Sequence, residues 1–230
     1  MLENMPKDLK TKAYVLRRTN YGEADRILNL ITPVGKISVM AKGVRKPKSK
    51  LAGGIEMFSL IETNLHFGKG DMATLTGAKM IDFYGNILKD LTRMELASEI
   101  LKRISNASEH VDSSEHFEIV DESLFALNDG ADVNLVYTWF LIRMAKATGE
   151  QVNLMIDTDG NNLEETEKYD WNEIEVAFSK NSAGEFDANA IKLLRLMWAA
   201  DLKTVRRVKD LEKYAPKILK IARAVNKVVK

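Results

Sequence analysis

Thr32-Pro33-Val34-Gly35-Lys36-Ile37-Ser38-Val39-Met40-Ala41-Lys42-Gly43-Val44-Arg45-Lys46-Pro47-Lys48-Ser49-Lys50 contains a turn, a strand and a basic loop in immediate succession. Pro33 fixes its own φ and Gly35 is free to take a positive one, which is turn chemistry. Ile37 to Ala41 is a short apolar strand. Residues 41–50 then carry five cationic side chains and no acid. A Gly- and Pro-punctuated cationic loop leaving a strand has to face water or a polyanion, and Lys/Arg clusters of this kind are the footprint of phosphate-backbone binding. A solvated loop is the plainer alternative.

The β pattern extends in both directions from this stretch. Lys12 to Arg18 and Asp25 to Ile31 are predicted strands on its N-terminal side, separated by the turn-like Asn20-Tyr21-Gly22-Glu23. Met57 to Phe67 and Met72 to Ala78 follow, joined by Gly68-Lys69-Gly70-Asp71. Five short strands with Gly-rich turns predict a small closed barrel or sandwich, and an OB-fold is compatible with that count. After about residue 82 the period changes to helical. Leu88, Leu91, Met94, Leu96, Ile100 and Ile104 recur at helical spacing, and a second helix begins at Ser113-Ser114-Glu115. Asp132 caps a third, which runs through Trp139 and Phe140 to Thr148-Gly149. Residues 151–187 are polar, acidic and weakly periodic, an excursion with at most short elements. Asp187 or Asn189 caps a further helix, and Thr204–Tyr214 and Pro216–Val229 are predicted as two more, the latter with Pro216 in its first turn. The fold class expected is α+β, a five-stranded OB-fold barrel over 1–82 followed by an all-α domain over 83–230.

At 230 residues the chain is long enough for a sizeable core and one or two domains. It contains no run of 18 apolar residues, and its start lacks an apolar signal region, so a cytoplasmic location is expected. The formal net charge of +1 conceals a segregation: residues 1–80 hold 14 Lys+Arg against 7 Asp+Glu, residues 81–190 hold 8 against 23, and residues 191–230 hold 12 against 3. Basic ends around an acidic body suggest a polyanionic partner. Packing of the basic C-terminus against the acidic middle would explain the same pattern.

Five motifs in order carry a family resemblance. They are Tyr14-Val15-Leu16-Arg17-Arg18, Tyr21-Gly22-Glu23-Ala24-Asp25-Arg26-Ile27, Thr32-Pro33-Val34-Gly35-Lys36-Ile37, the loop Ala41–Leu51, and Phe58-Ser59-Leu60. Together they closely resemble the N-terminus of the RecO family of DNA repair proteins, and Trp139-Phe140-Leu141-Ile142-Arg143-Met144 resembles its central helix. The resemblance implies an N-terminal OB-fold with a helical C-terminal domain. It also implies binding to single- and double-stranded DNA, annealing of complementary strands, and loading of recombinase together with RecR and single-stranded DNA-binding protein. Many RecO proteins carry a four-cysteine zinc module, whose place here is roughly Leu154–Asn189. That stretch has neither Cys nor His, so no zinc and no other cofactor is expected.

On this footing the DNA-binding candidates are Arg17, Arg18, Arg26, Lys36, Lys42, Arg45, Lys46, Lys48 and Lys50. If the first three strands are neighbours, their ends and the loop converge. Of the barrel aromatics, Tyr14, Phe58 and Phe67 are expected in the core, leaving Tyr21 as the candidate for base stacking. A patch rich in cations and poor in stacking groups suits backbone tracking. Lys203, Arg206, Arg207, Lys209, Lys213, Lys217, Lys220, Arg223 and Lys227 form a second cluster, read either as another polyanion surface or as the wet face of the last helices. In the family the helical domain receives the acidic, Phe-ending tail of single-stranded DNA-binding protein, for which Arg143 is the candidate contact.

No catalytic reading competes. Asp157, Asp159 and Asn161 imitate the opening of a calcium loop, but Asn162 stands where Gly is needed and Lys168 where the bidentate Glu should be. His66, His110 and His116 have no metal spacing, and no Walker A, dinucleotide or Gly-x-Ser-x-Gly motif occurs. The expectation is a non-enzymatic DNA-binding mediator. The alternative is a protein-interaction adaptor with little intrinsic DNA affinity. A hydrolase using the acids of 157–175 ranks far behind, without any supporting spacing.

Overall fold

The computed structural model describes residues 6–68, 70, 72–107, 114–150 and 152–226. Five strands form from the alternating segments: β1 (Asp8–Tyr21), β2 (Asp25–Thr32), β3 (Gly35–Ala41), β4 (Ser59–His66) and β5 (Ala73–Phe83). They close into a barrel in the order β1-β2-β3-β5-β4. The inward row, including Val15, Leu28, Leu30, Ile37, Val39, Ile61, Leu65 and Leu75, forms one buried core. β1 is long because it serves two partners: Asp8–Tyr14 pairs with β4 and Tyr14–Tyr21 with β2. A bulge lies between Val15 and Arg17, where one extra residue lets the strand bend from one neighbour to the other. All ladders are antiparallel except the β3–β5 closure, which is parallel and pairs only Val39 with Ala73 and Met40 with Thr74.

Compact packing divides the chain into residues 1–130 and 131–230. The first unit adds α1 (Leu91–Ala107) and α2 (Ser114–Asn128) to the barrel. α1 packs on β1, and α2 touches β1, β2 and β3. Tyr14 marks this contact. It is buried on the outer side of the barrel, its hydroxyl donates to Asp121 of α2 and lies 3.0 Å from that of Tyr84, and Phe117 packs against its ring. Leu88, expected in α1, belongs instead to a separate 3-10 turn, Ile87–Lys89.

The second unit contains α3 (Val133–Ala147), a hairpin of β6 (Tyr169–Asn172) and β7 (Ala177–Lys180), α4 (Ala188–Ala199), α5 (Leu202–Val205) and α6 (Leu211–Asn226). Asp132, Asp187 and Asp201 cap α3, α4 and α5, each accepting a backbone N–H three residues on. Trp139, Phe140 and Leu141 are buried along α3. The C-terminal helices differ from the expected pair. α5 is one short turn, and Asp210 takes φ 56°, a left-handed conformation that Asp tolerates better than most residues. α6 starts at Leu211 rather than at Pro216, which lies inside it. Tyr214, Ala215, Ile218, Ile221, Ala222 and Val225 make one continuous buried stripe across the proline, and that burial offsets the hydrogen bond it removes. Val228 and Lys227 fall outside the described residues.

Candidate nucleic-acid interface

Strand pairing sorts the cations of the barrel. After the bulge, Arg17 pairs with Asn29 and Arg18 with Leu28. Leu28 points into the core, so Arg18 takes the inward side at the end of the barrel and Arg17 takes the outer face. Arg18 there donates to the Ile55 carbonyl at 3.4 Å and pairs with Glu56 at 3.1 Å. Arg26, opposite Asn20 and Ala41, shares the inward side and donates to Asn20 Oδ1 at 3.1 Å. Lys36 lies in the half of the sheet near the helices, where its ammonium donates to the Ser105 carbonyl of α1 at 2.7 Å. These three cations are held by protein contacts.

Arg17 is exposed on the outer face of β1-β2-β3. Its row continues through Asn29 and Ser38, whose hydroxyl donates to Asn29 Oδ1 at 3.0 Å. The next row is Thr19, Ile27 and Met40, and beyond it Tyr21 stands 55% exposed at the end of β1. Tyr14 and Phe58 are buried, Tyr14 against α2 rather than inside the barrel, and Phe67 is partly buried against the barrel core.

The basic loop forms a rim beside this face. Lys42, Arg45, Lys46, Lys48 and Lys50 are all exposed. Its backbone, however, is pinned. Asp25 accepts the Gly43 N–H at 2.6 Å, the Arg45 N–H donates to the Ala24 carbonyl at 2.9 Å, and the Arg45 guanidinium donates to the Gly22 carbonyl at 3.1 Å. Gly43 adopts φ 65°, which places its N–H on Asp25 and which other side chains resist. Val44, flanked by cations, is only 2% exposed and belongs to the barrel core. Sequence reading missed this anchor because a single apolar residue in a charged loop gives no periodic signal. The ammonium groups of Lys42, Lys46, Lys48 and Lys50 make no ion pair or hydrogen bond with another described residue.

The second unit places the remaining candidates. Arg143 is half-buried on α3, its guanidinium 5.6 Å from the centroid of Trp139 and donating to the Trp198 carbonyl at 3.4 Å. Lys146 donates to the same carbonyl at 3.2 Å. Several C-terminal cations contact the acidic middle of the chain: Lys192 pairs with Glu165 at 2.7 Å, and Lys220 with Glu185 at 2.7 Å, while Lys217 donates to the Glu185 carbonyl. Part of the charge segregation is thus satisfied within this unit. Lys203, Arg206, Arg207, Lys209, Lys213 and Arg223 remain exposed.

A zinc module does not fit these residues. Among the described residues no group of three or more His, Cys, Asp or Glu side chains is placed to hold a metal ion. Asp157 is buried and hydrogen-bonded to backbone N–H groups of its own turn. His66 pairs with Asp8 at 2.7 Å, His116 is buried in α2, and His110 lies outside the described residues. No described helix is long and apolar enough to cross a membrane.

A closed five-stranded barrel of OB type, fronted by a pinned cationic loop and followed by helices, defines the class of protein. The family model described as "Recombination protein O N terminal" matches residues 5–84, and that described as "Recombination protein O C terminal" matches residues 88–224. The chain belongs to the RecO family of DNA repair proteins. It is 31% identical over 220 residues to "DNA repair protein RecO" of Dehalococcoides mccartyi (strain ATCC BAA-2266 / KCTC 15142 / 195), covering 89% of this chain and 83% of that protein. Against the protein of the same name from strain CBDB1, identity is 36% over 151 residues, 65% of this chain and 59% of the relative. For Bacillus cytotoxicus the figures are 30% over 142 residues, 61% and 57%.

Proposed function

We propose that the chain is a non-enzymatic, cytoplasmic DNA-binding mediator of recombinational repair. It holds single- and double-stranded DNA, anneals complementary strands and helps to load recombinase together with RecR and single-stranded DNA-binding protein. The barrel, residues 1–82, is the nucleic-acid-binding domain in this reading, and residues 83–230 are the helical domain. The observation that carries it is the pinned loop: five exposed cations without an intervening acid, beside an outer barrel face bearing Arg17. Arg17, Lys42, Arg45, Lys46, Lys48 and Lys50 take the phosphates. Arg18, Arg26 and Lys36 shape the barrel end and its helix contact. Cations at the rim, with Tyr21 as the exposed aromatic at the end of β1, leave base edges free to pair, as annealing requires.

Six phosphate contacts to a single strand give a salt slope of about −4, so raising salt fourfold weakens binding by roughly two to three orders of magnitude. Fluorescence anisotropy with a labelled oligonucleotide across a salt series measures this. Salt-independent or absent binding rejects the reading and favours the adaptor alternative. Replacing Lys46, Lys48 and Lys50 with Ala removes cations whose ammonium groups make no hydrogen bond or ion pair with a described residue, and reduces the slope by about 2. An unchanged slope removes the loop from the site.

The acidic tail of single-stranded DNA-binding protein is assigned to Arg143, a cation held over the Trp139 ring and against the Trp198 carbonyl. Arg143→Ala is expected to abolish binding of a tail peptide while leaving oligonucleotide affinity intact. Equal binding by the variant removes Arg143 from that contact.

A further inference from the structure

We infer that residues 153–187 form a metal-independent ribbon, in which two Asx turns and an aromatic cluster hold together what a thiolate-bound ion holds in zinc-bearing RecO proteins. The first turn closes on Asp157, which is 4% exposed. One of its carboxylate oxygens accepts the N–H groups of Asp159 at 3.0 Å and Asn161 at 2.8 Å, while its own N–H donates to the Asn161 carbonyl at 2.8 Å. One carboxyl oxygen therefore gathers the turn's amides, with no ion pair to another described residue. The second turn closes on Asn181, whose side-chain oxygen accepts the Ala183 N–H at 3.0 Å and whose carbonyl accepts that of Gly184 at 2.8 Å.

Both turns are fastened to the β6–β7 hairpin. The Thr158 N–H donates to the Phe178 carbonyl at 2.9 Å, and Tyr169 and Phe186 exchange two backbone hydrogen bonds of 2.9 Å. Gly184 permits that approach, since a Cβ there would lie 2.6 Å from the Tyr169 backbone. Asp170 accepts from the Glu185 N–H at 3.0 Å and from the Asn181 amide at 2.6 Å, which holds its carboxyl below the usual range.

The centre of the ribbon is a ring rather than a donor set. Phe178 is fully buried, with Trp171, Phe186 and Tyr169 edge-on to it at centroid distances of 5.2, 5.6 and 6.2 Å. Edge-to-face pairs at these separations add stabilisation beyond the area they bury. Tyr169 also accepts the Glu164 N–H through its hydroxyl at 2.8 Å, which ties down the acidic segment before β6.

The test uses the full chain. Elemental analysis of the purified protein is expected to find zinc well below one equivalent, and EDTA is expected to leave the thermal midpoint unchanged. One zinc per chain, or a midpoint that falls with chelator, overturns the inference. Asp157→Ala is expected to lower the midpoint by roughly 2–8 °C, whereas Asp157→Asn, whose amide oxygen still accepts both N–H groups, retains most of it. Equal loss in the two variants overturns the assignment of Asp157 as the turn's hydrogen-bond acceptor. If the Ala variant does not fold, the Asn variant and the chelator series still decide.

Discussion

Asp25 shows how an acidic residue can serve a cationic site. It removes a positive charge from the neighbourhood of the loop, yet its carboxylate fixes Gly43 and with it the path of the lysines. Asp25→Ala makes the surface more basic and loosens the loop, so charge and preorganisation predict opposite outcomes. We expect preorganisation to prevail, with DNA affinity at fixed salt falling roughly 3–10-fold in anisotropy titrations. Tighter binding would show that the loop needs no clamp. A second residue-scale prediction concerns His116. Burial holds its imidazole below the ordinary value, with Glu115 opposing the shift only in part. The unfolded chain therefore takes up a proton that the folded one resists, so stability is intact above pH about 6.5 and declines as pH falls below it. Urea midpoints at pH 7.5 and 5.5 measure the decline, and His116→Leu is expected to reduce it. Tyr14→Phe removes the donor to Asp121 in the contact between β1 and α2, and is expected to cost about 1–3 kcal/mol in urea unfolding.

At the level of elements, the legible features were those with a period or a cap. Alternation in Leu28, Leu30, Ile37 and Val39 marks the inner barrel face, and Asp132 and Asp187 sit where their helices begin. The bulge in β1 was not legible, because nothing in Val15-Leu16-Arg17-Arg18 says which of two adjacent arginines turns outward. Pairing with Asn29 and Leu28 decides it, and that is a property of β2 as much as of β1. The C-terminal helices were misjudged because Pro216 was weighed as a local start signal, while the apolar stripe from Tyr214 to Val225 runs through it. Pro216→Ala restores a hydrogen bond to the Glu212 carbonyl without changing the buried stripe. It is expected to raise stability by about 1–3 kcal/mol, read as a higher urea midpoint with an unchanged slope.

For the whole molecule, the division into basic ends and an acidic middle was visible at once, but its meaning was mixed. Contacts such as Lys192–Glu165 and Lys220–Glu185 use part of the C-terminal charge internally, whereas the loop at 42–50 has no acid in its own sequence to answer it. Opposite charges inside the second unit and unanswered charge on the barrel lead to different salt responses. Added salt is expected to weaken DNA binding steeply while changing the thermal midpoint little, since exposed pairs contribute only about 0–1 kcal/mol each. The short parallel closure of the barrel carries a last consequence. With two residue pairs between β3 and β5, against seven between β2 and β3, this seam is expected to open most readily, and those N–H groups of Val39, Met40, Ala73 and Thr74 that face it should exchange faster than the amides of the neighbouring ladders. β3 runs directly into Lys42, so a DNA strand lying across the cationic rim is expected to act as a clasp that slows exchange at the seam.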